Sequence, residues 1–576
     1  METARRWHLR TVRLFGAGVV VAGVLIPTGA AHATPVVTGG PASVVSPAGF
    51  DTSPPLRDLA RLPVSGEAAD NDETDRMPVA ADQGNAPDGA LQTTTAATAA
   101  PNTRANFEGL SNQDNFTTVG GRVNPPDPSG AAGPNNYVEM VNLTFAVYDK
   151  AGTRLLGPTS IGALWAGFPV TECTDLSGDP VVVHDQFADR WILTQFTTKG
   201  LNFPNEPLNP FYECVAVSAT SDPTGAYYRY AFTTGFNFPD YPKIGVWGNS
   251  YVLTTREFGI DDPNVYAIGV YGLERKKMIK GDPNARVVKF LLQDGPVPIN
   301  LIGDGLLPPD VDGRERPEDD TPAPIVGTQD DQGPYGATFD ALNVWDFRVS
   351  WEDHPSGSIE LKAQLPVAPF DSIFPCGPVS ARDCLPQPGI TNRTQFLDIL
   401  SYRQRPTFRL AYREFDDYAS MVTGQSVEAA PGVAGMRWYE IRRDHHGTYT
   451  VRQQSTYAPA DGVHRWMGSL AMDRRGNVAM GYSVVNGVDV FPGIRYTGRL
   501  AEDPLNQMTL AEGVIINGTG SQRTTNSRWG DYTTMTVDPV DDCTFWYVNE
   551  YYTAAGSAAA TNGWQTRIAS FRMPRC

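Results

Sequence analysis

From about Ala105 to Cys576, apolar and polar positions alternate in short runs broken by turn residues roughly every 8 to 12 positions, and long helical periodicity is absent. The fullest unit runs from Arg528-Trp529-Gly530-Asp531-Tyr532 through Met535 and Val537, crosses an Asp/Pro-rich turn, and ends in the aromatic run Phe545-Trp546-Tyr547-Val548-Asn549-Glu550. It is a polar entry, an alternating strand, a tight turn and a second strand. The same unit recurs at Asp179-Pro180-Val181 with Trp191-Ile192-Leu193, and at Asp240-Tyr241-Pro242 with Tyr251-Val252-Leu253. Shorter versions follow Asp127-Pro128 and Trp466-Met467.

Such repetition predicts an all-β fold, a single β-propeller with blades of about four strands. Blade starts fall near Asp127, Asp179, Asp240, Asp310, Asp398, Arg465 and Asp531, which makes seven blades. Six is the alternative, because blade four carries an acidic, Pro-rich stretch over 303–334. The last blade supplies three strands (533–537, 545–552 and 566–573), and a strand over 106–119 completes it, removing the exposed edges of the ring.

Two segments precede the propeller. Residues 1–33 carry a basic head (Arg5, Arg6, Arg10, Arg13), an apolar stretch from Leu14 to Ile26 and the small-x-small site Ala31-His32-Ala33, the pattern of a secretory signal peptide. The stretch is short for a membrane span, so stable insertion is not expected. Arg5-Arg6-Trp7-His8-Leu9-Arg10 also fits a twin-arginine export signal, with His8 where an apolar residue is usual. Residues 34–104 are rich in Pro, Ala, Thr and Gly and read as a disordered linker, with one helical turn allowed at Leu56 to Leu62.

Charge narrows the partners. The net charge is −18, and removing residues 1–33 takes it to −21, which opposes binding to nucleic acid or anionic lipid. Cations remain plausible partners, and a monomer is expected. The six cysteines, Cys173, Cys214, Cys376, Cys384, Cys543 and Cys576, suit disulfides in an exported chain, and none shows C-x-x-C spacing. Sequential pairing keeps each bridge within or beside one repeat.

Asp-x-x-Gly turns recur at Asp149–Gly152, Asp222–Gly225, Asp444–Gly447 and Asp473–Gly476. They resemble the Asp-box turns of sialidase-like propellers, with the Asp–Gly spacing one residue longer and the flanking Ser and Trp missing. The ordered segments Gly178-Asp179-Pro180-Val181-Val182, Ala188-Asp189-Arg190-Trp191, Thr220-Ser221-Asp222-Pro223, Phe238-Pro239-Asp240-Tyr241-Pro242-Lys243 and Arg528-Trp529-Gly530-Asp531-Tyr532 resemble a family of secreted bacterial propeller proteins. The resemblance implies the fold and carries over no catalytic residue.

Propeller topology sorts the candidates by face. Entries to innermost strands and exits of second strands share one face; hairpins joining strands one to two and three to four lie on the other. The four Asp-x-x-Gly turns belong to the hairpin face, with His445 and His446 exposed in one of them. The entry face collects Asp179, Asp240, Asp531 and Glu550 as candidate acid–base residues, with Arg465, Arg528, Lys243 and Tyr532 beside them as candidate binding residues. Converging carboxylates also suit Ca²⁺, and Asp310-Val311-Asp312-Gly313 is a partial calcium loop without its distal Glu. Against these readings, an Asp at a strand entry commonly caps local N–H groups or pairs with a neighbouring Arg to lock blades. His184 and His464 are isolated, and G-x-S-x-G, H-E-x-x-H and P-loop motifs are absent. Two functions stay open: an extracellular hydrolase acting on a glycan at the channel mouth, and a non-catalytic scaffold binding a glycan or a partner protein.

Overall fold

The computed structural model describes residues 37–60, 87–94, 96, 98–176, 178–373, 383–399, 404–523, 527–558 and 563–576. The expected signal peptide and Cys376 lie outside the described residues. Seven blades follow one another along the chain, and their cores are the apolar faces trapped between neighbours. Blade two (Val181–Asp185, Arg190–Phe196, Phe211–Ser218, Tyr227–Gly235) shows the logic. Its Val181, Ile192, Val215 and Tyr230 pack on Ile244, Tyr251, Leu253 and Val287 of blade three. Each side chain buried this way contributes about 1.5–3 kcal/mol.

Blade seven closes the ring as expected: Thr534–Val537, Thr544–Tyr552 and Trp564–Arg572 are joined by the N-terminal strand Thr103–Ser111, paired antiparallel from Thr103 opposite Phe571 to Ser111 opposite Gln565. The expected strand over 106–119 is cut short. Ser111 caps a helix, Asn112–Val119, through a reciprocal bond with Asp114, and Gly120 ends it with a left-handed φ of 78°. Ser-x-x-Asp is a capping signal that outweighs the residual alternation.

Blade four differs from expectation in its start. Three regular strands, Ala323–Gln329, Ala341–Ser350 and Ser356–Pro366, are preceded by a short inner segment in which Leu307 bridges Val326. Two residues on, Pro309–Val311 runs parallel to the inner strand of blade five, Thr407–Phe415. One short segment thus staples two blades. All four Asp-x-x-Gly turns sit on the hairpins assigned to them, each Gly N–H donating to its Asp carbonyl at 3.0, 3.1, 3.0 and 2.9 Å in chain order. Asp149 and Asp444 also accept two backbone N–H groups each on their carboxylates, which hold both below the usual carboxylate range.

The segment expected to be a linker is built into the propeller wherever it is described. Ser43–Val45 adds a fifth strand to blade three and Gly49–Thr52 one to blade two. Leu56–Leu59 forms the single helical turn, with both leucines buried. Farther on, Leu91 bridges Thr456 of blade five and Thr98 bridges Leu510 of blade six. A polar, Pro-rich composition argues against an independent core, yet such a chain can satisfy its backbone on open sheet edges. The strap is also fixed by charge. Asp88 and Arg437 form an ion pair at 3.0 Å with both side chains fully buried. Thr456 and Gln454 complete the pair's hydrogen bonds.

Cys173–Cys214 and Cys543–Cys576 are bonded as sequential pairing requires. No helix among the described residues is long and apolar enough to cross a membrane. The strap predicts a measurable cost. Asp88→Ala strands a buried guanidinium, and chemical denaturation should show a loss of about 3–5 kcal/mol. A loss below about 1 kcal/mol would mean that the strap is peripheral to stability.

Candidate functional site

The entry face is marked by its backbone. Asp127, Asp179, Tyr241, Gln404 and Met467 all have φ between 43° and 53°, and each opens or kinks the inner strand of a different blade. Gly303, at φ 53°, does the same for blade four. Left-handed conformations in non-glycine residues cost on the order of 1–3 kcal/mol each and persist only where the surroundings enforce them. Here they tip the entry residues toward the channel mouth.

The enforcing network joins distant parts of the chain. Asp127, 2% exposed, accepts the Asp531 N–H at 2.7 Å on one oxygen and the Asn142 amide at 2.8 Å on the other. Asn142 in turn accepts the Asp179 N–H at 2.9 Å. The Tyr532 hydroxyl stands 3.1 Å from the Asp179 carboxylate and 3.0 Å from the Pro242 carbonyl. Tyr241 donates to the Asp531 carbonyl at 3.2 Å, and the Arg405 guanidinium lies 3.7 Å over its ring. Lys243 donates to the Tyr241 carbonyl at 2.7 Å. Arg528 pairs with Asp531 at 2.9 Å and reaches Asp398 at 3.6 Å. Glu550 accepts the Gly530 N–H at 2.5 Å.

The electrostatics divide these groups. Burial, and then the charge of Asp531, push Asp127 well above the carboxylate range, with Arg528 opposing. Glu550 is pushed well up by burial and by Asp531. Lys243 is held well below the usual lysine value by burial, then by Arg405 and Arg256. Toward the hairpin face the channel narrows to a cavity of about 20 Å³ lined by Val182, His184, Asp310, Arg409 and Thr534, room for roughly one water.

Of the residues singled out in the sequence, Asp179, Asp531, Glu550, Arg528, Lys243 and Tyr532 come together here. Asp240 lies at the margin, 3.3 Å from Arg256. Arg465 does not join them: its guanidinium is consumed by Glu512 and Asp461 within blade six. Asp310 and Asp312, expected as a partial calcium loop, have their carboxylates engaged by protein donors. Arg409 takes three of their four carboxylate oxygens at 2.8 Å, and the Val246 N–H takes the fourth at 3.0 Å. His184 binds Asp189 at 3.1 Å, and burial holds His464 down at about 4. Sequence reasoning missed Asp304, which is the entry residue of blade four in place of Asp310, and Arg405. The Gly303-Asp304-Gly305 run was the available signal for the first; Arg405 had none.

No protein-family model matches the chain, and no curated protein matches it. Among solved structures, the α-L-arabinofuranosidase Arb93A of Fusarium graminearum, in complex with an iminosugar inhibitor, is similar over 67% of this chain and 90% of its own, at 8% identity and a TM-score of 0.24. The α-L-arabinanase of Penicillium chrysogenum, complexed with arabinobiose, covers 66% and 90% at 8% identity, TM-score 0.25. A protein of unknown function from Dyadobacter fermentans covers 59% and 96% at 11% identity, TM-score 0.21. Scores of this size support no inference about substrate, and the propeller rests on the strand order above.

Glu550 gives the site a pH signature. Its second oxygen has no hydrogen-bond partner. A carboxyl raised in the fold contributes stability that is complete below its ordinary value of 4.5 and is lost as pH rises through the folded value. Glu550→Gln keeps the acceptor for Gly530 and cannot ionise. Its melting temperature should therefore gain on the parent as pH climbs from about 4.5 to neutrality. A difference that stays constant with pH would show that Glu550 ionises like a surface glutamate.

Proposed function

We propose that the protein is a secreted propeller that hydrolyses a glycan at its channel mouth, with Asp127 as general acid and Asp531 as general base. One observation carries the reading: two carboxyl groups from opposite ends of the propeller meet at the entry face in opposite settings. Burial and the charge of Asp531 raise Asp127 well above the carboxylate range, and Asp531 has Arg528 as counter-charge at 2.9 Å. A raised carboxyl beside one paired with an arginine is a division that acid–base chemistry uses. In the step itself, Asp531 takes a proton from a water that attacks the anomeric carbon. The glycosidic C–O bond breaks, and the leaving oxygen receives the proton of Asp127. Asp179, Asp240, Tyr532 and Lys243 supply hydroxyl partners around it. Export fits the two disulfides, which persist in oxidising compartments.

A second reading has its own observation. Both oxygens of Asp127 and the hydroxyl of Tyr532 are engaged in bonds between segments, which is how a non-catalytic scaffold would lock its blades. The two readings part in a single experiment. Reducing-end release from a panel of neutral polysaccharides should be detectable for the parent. It should fall roughly 100-fold or more in Asp127→Asn and in Asp531→Asn, with melting temperatures near the parent's. A parent that cleaves none of the panel, yet retains glycans on an array, would make this a binding scaffold.

A further inference from the structure

We propose a Ca²⁺ site in the 330–340 loop of blade four, built from the carboxylates of Asp330, Asp331 and Asp340 and the amide oxygens of Gln332 and Gln404. The loop joins the strands Ala323–Gln329 and Ala341–Ser350 on the entry face, and it is tied to the blade entry by a 2.6 Å bond from Tyr335 to Asp304. One oxygen from each of the three carboxylates lies within 4.8 Å of the others. Asp330 and Asp340 are buried and Asp331 is exposed, so the cluster opens to solvent on one side.

Three carboxylates alone make no site; the amides supply the second observation. Gln404 is fully buried, and neither its amide oxygen nor its nitrogen has a hydrogen-bond partner. Its oxygen crowds the point where a side chain on Gly333 would begin, and the Asp330 β-carbon lies 3.2 Å from that same point. The amide therefore faces the Asp330–Gly333 turn. The amide oxygen of Gln332 is likewise buried without a partner. An orphaned buried amide oxygen calls for a donor or a cation.

The carboxylates are held ready by the backbone. Asp330 accepts the Gln332 N–H at 2.8 Å and the Ser372 N–H at 2.8 Å. Asp340 accepts the Asp331 and Phe370 N–H groups, both at 2.8 Å. The Ser372 hydroxyl adds a second bond to the Asp330 oxygen that takes the Ser372 N–H, which leaves the other Asp330 oxygen and both of Asp340 with a second lone pair whose direction those bonds fix. Among the described residues, no Lys or Arg pairs with any of the three. Five protein oxygens with room for water match a hard cation that takes six to eight oxygens in a flexible loop.

Calcium titrated into the EDTA-treated full chain should bind one ion per chain by calorimetry. It should raise the melting temperature by several degrees at millimolar concentration, because it binds only the folded state. Asp331→Asn, at an exposed position, should weaken binding at least tenfold while leaving the metal-free melting temperature unchanged. Gln404→Met should weaken it too, which keeps the test open if Asp340→Asn fails to fold. The proposal is overturned if the parent shows neither heat nor shift. It is equally overturned if Asp331→Asn binds as the parent does, or if Mg²⁺ gives an equal shift.

Discussion

Everything in this chain depends on one seam, where Thr103–Ser111 pairs with Trp564–Arg572. A propeller left open at that point would present two unpaired sheet edges and an unsupported inter-blade face. Closed, every blade is held between two others. The seam is keyed by Glu139 of blade one, which accepts the Leu110 N–H at 2.9 Å and the hydroxyls of Thr566 and Tyr148. Burial pushes that carboxyl up to about 7, and the three donors oppose the shift. Arg567 adds a second polar tie across the same strands, to Asn106 at 2.6 Å and to Glu108.

An acidic chain must decide where its carboxylates go, and the two faces decide differently. Toward the hairpin face, Asp185 meets Arg275 through two bonds, Asp310 and Asp312 share Arg409, and Asp542 meets Arg413 through two bonds. These are bidentate pairs across blades, suited to locking because the guanidinium fork fixes direction as well as charge. At the entry face, Asp127 and Glu550 are bound by backbone N–H and amide groups, which satisfy hydrogen bonds without supplying a full counter-charge. Burial raises both carboxyls well above their usual range, and those donors oppose the shift.

The fold was legible because its signal repeats: Asp179-Pro180, Asp240-Tyr241 and Asp531-Tyr532 each announce a strand entry, and alternation does the rest. Where the signal is local and single, reading failed. Blade four was registered on Asp310 because its true inner segment is short, and the glycines beside Asp304 look like an ordinary loop. The strap was taken for linker because its stability resides in the edges that receive it, which its own composition cannot reveal. For the site, the entry residues were visible and their partners were not. Arg405 over Tyr241, or Asp398 beside Arg528, are meetings set by ring closure and carry no spacing in sequence. Arg465 differs: Asp461, four residues before it, and Glu512 of the same blade satisfy it before it can reach the mouth.

The left-handed residues show where the chain is held against its own preference. They are not confined to the entry face: Asp189 and Asp542, in hairpins of blades two and seven, have φ of 52° and 53°, and Asp542 is one of the carboxylates paired across blades, with Arg413. Five non-glycine residues at equivalent entries, each costing on the order of 1–3 kcal/mol, is a sum that a marginally stable fold would shed unless the placement of those residues mattered. At the entry face they open or kink the inner strands of five blades, beside the point where the Asp127 carboxylate accepts the Asp531 N–H although the whole ring separates the two in sequence. Left-handed backbone at strand entries and in hairpins alike is therefore tied to the carboxylates placed there, Asp127 and Asp179 on one face and Asp189 and Asp542 on the other.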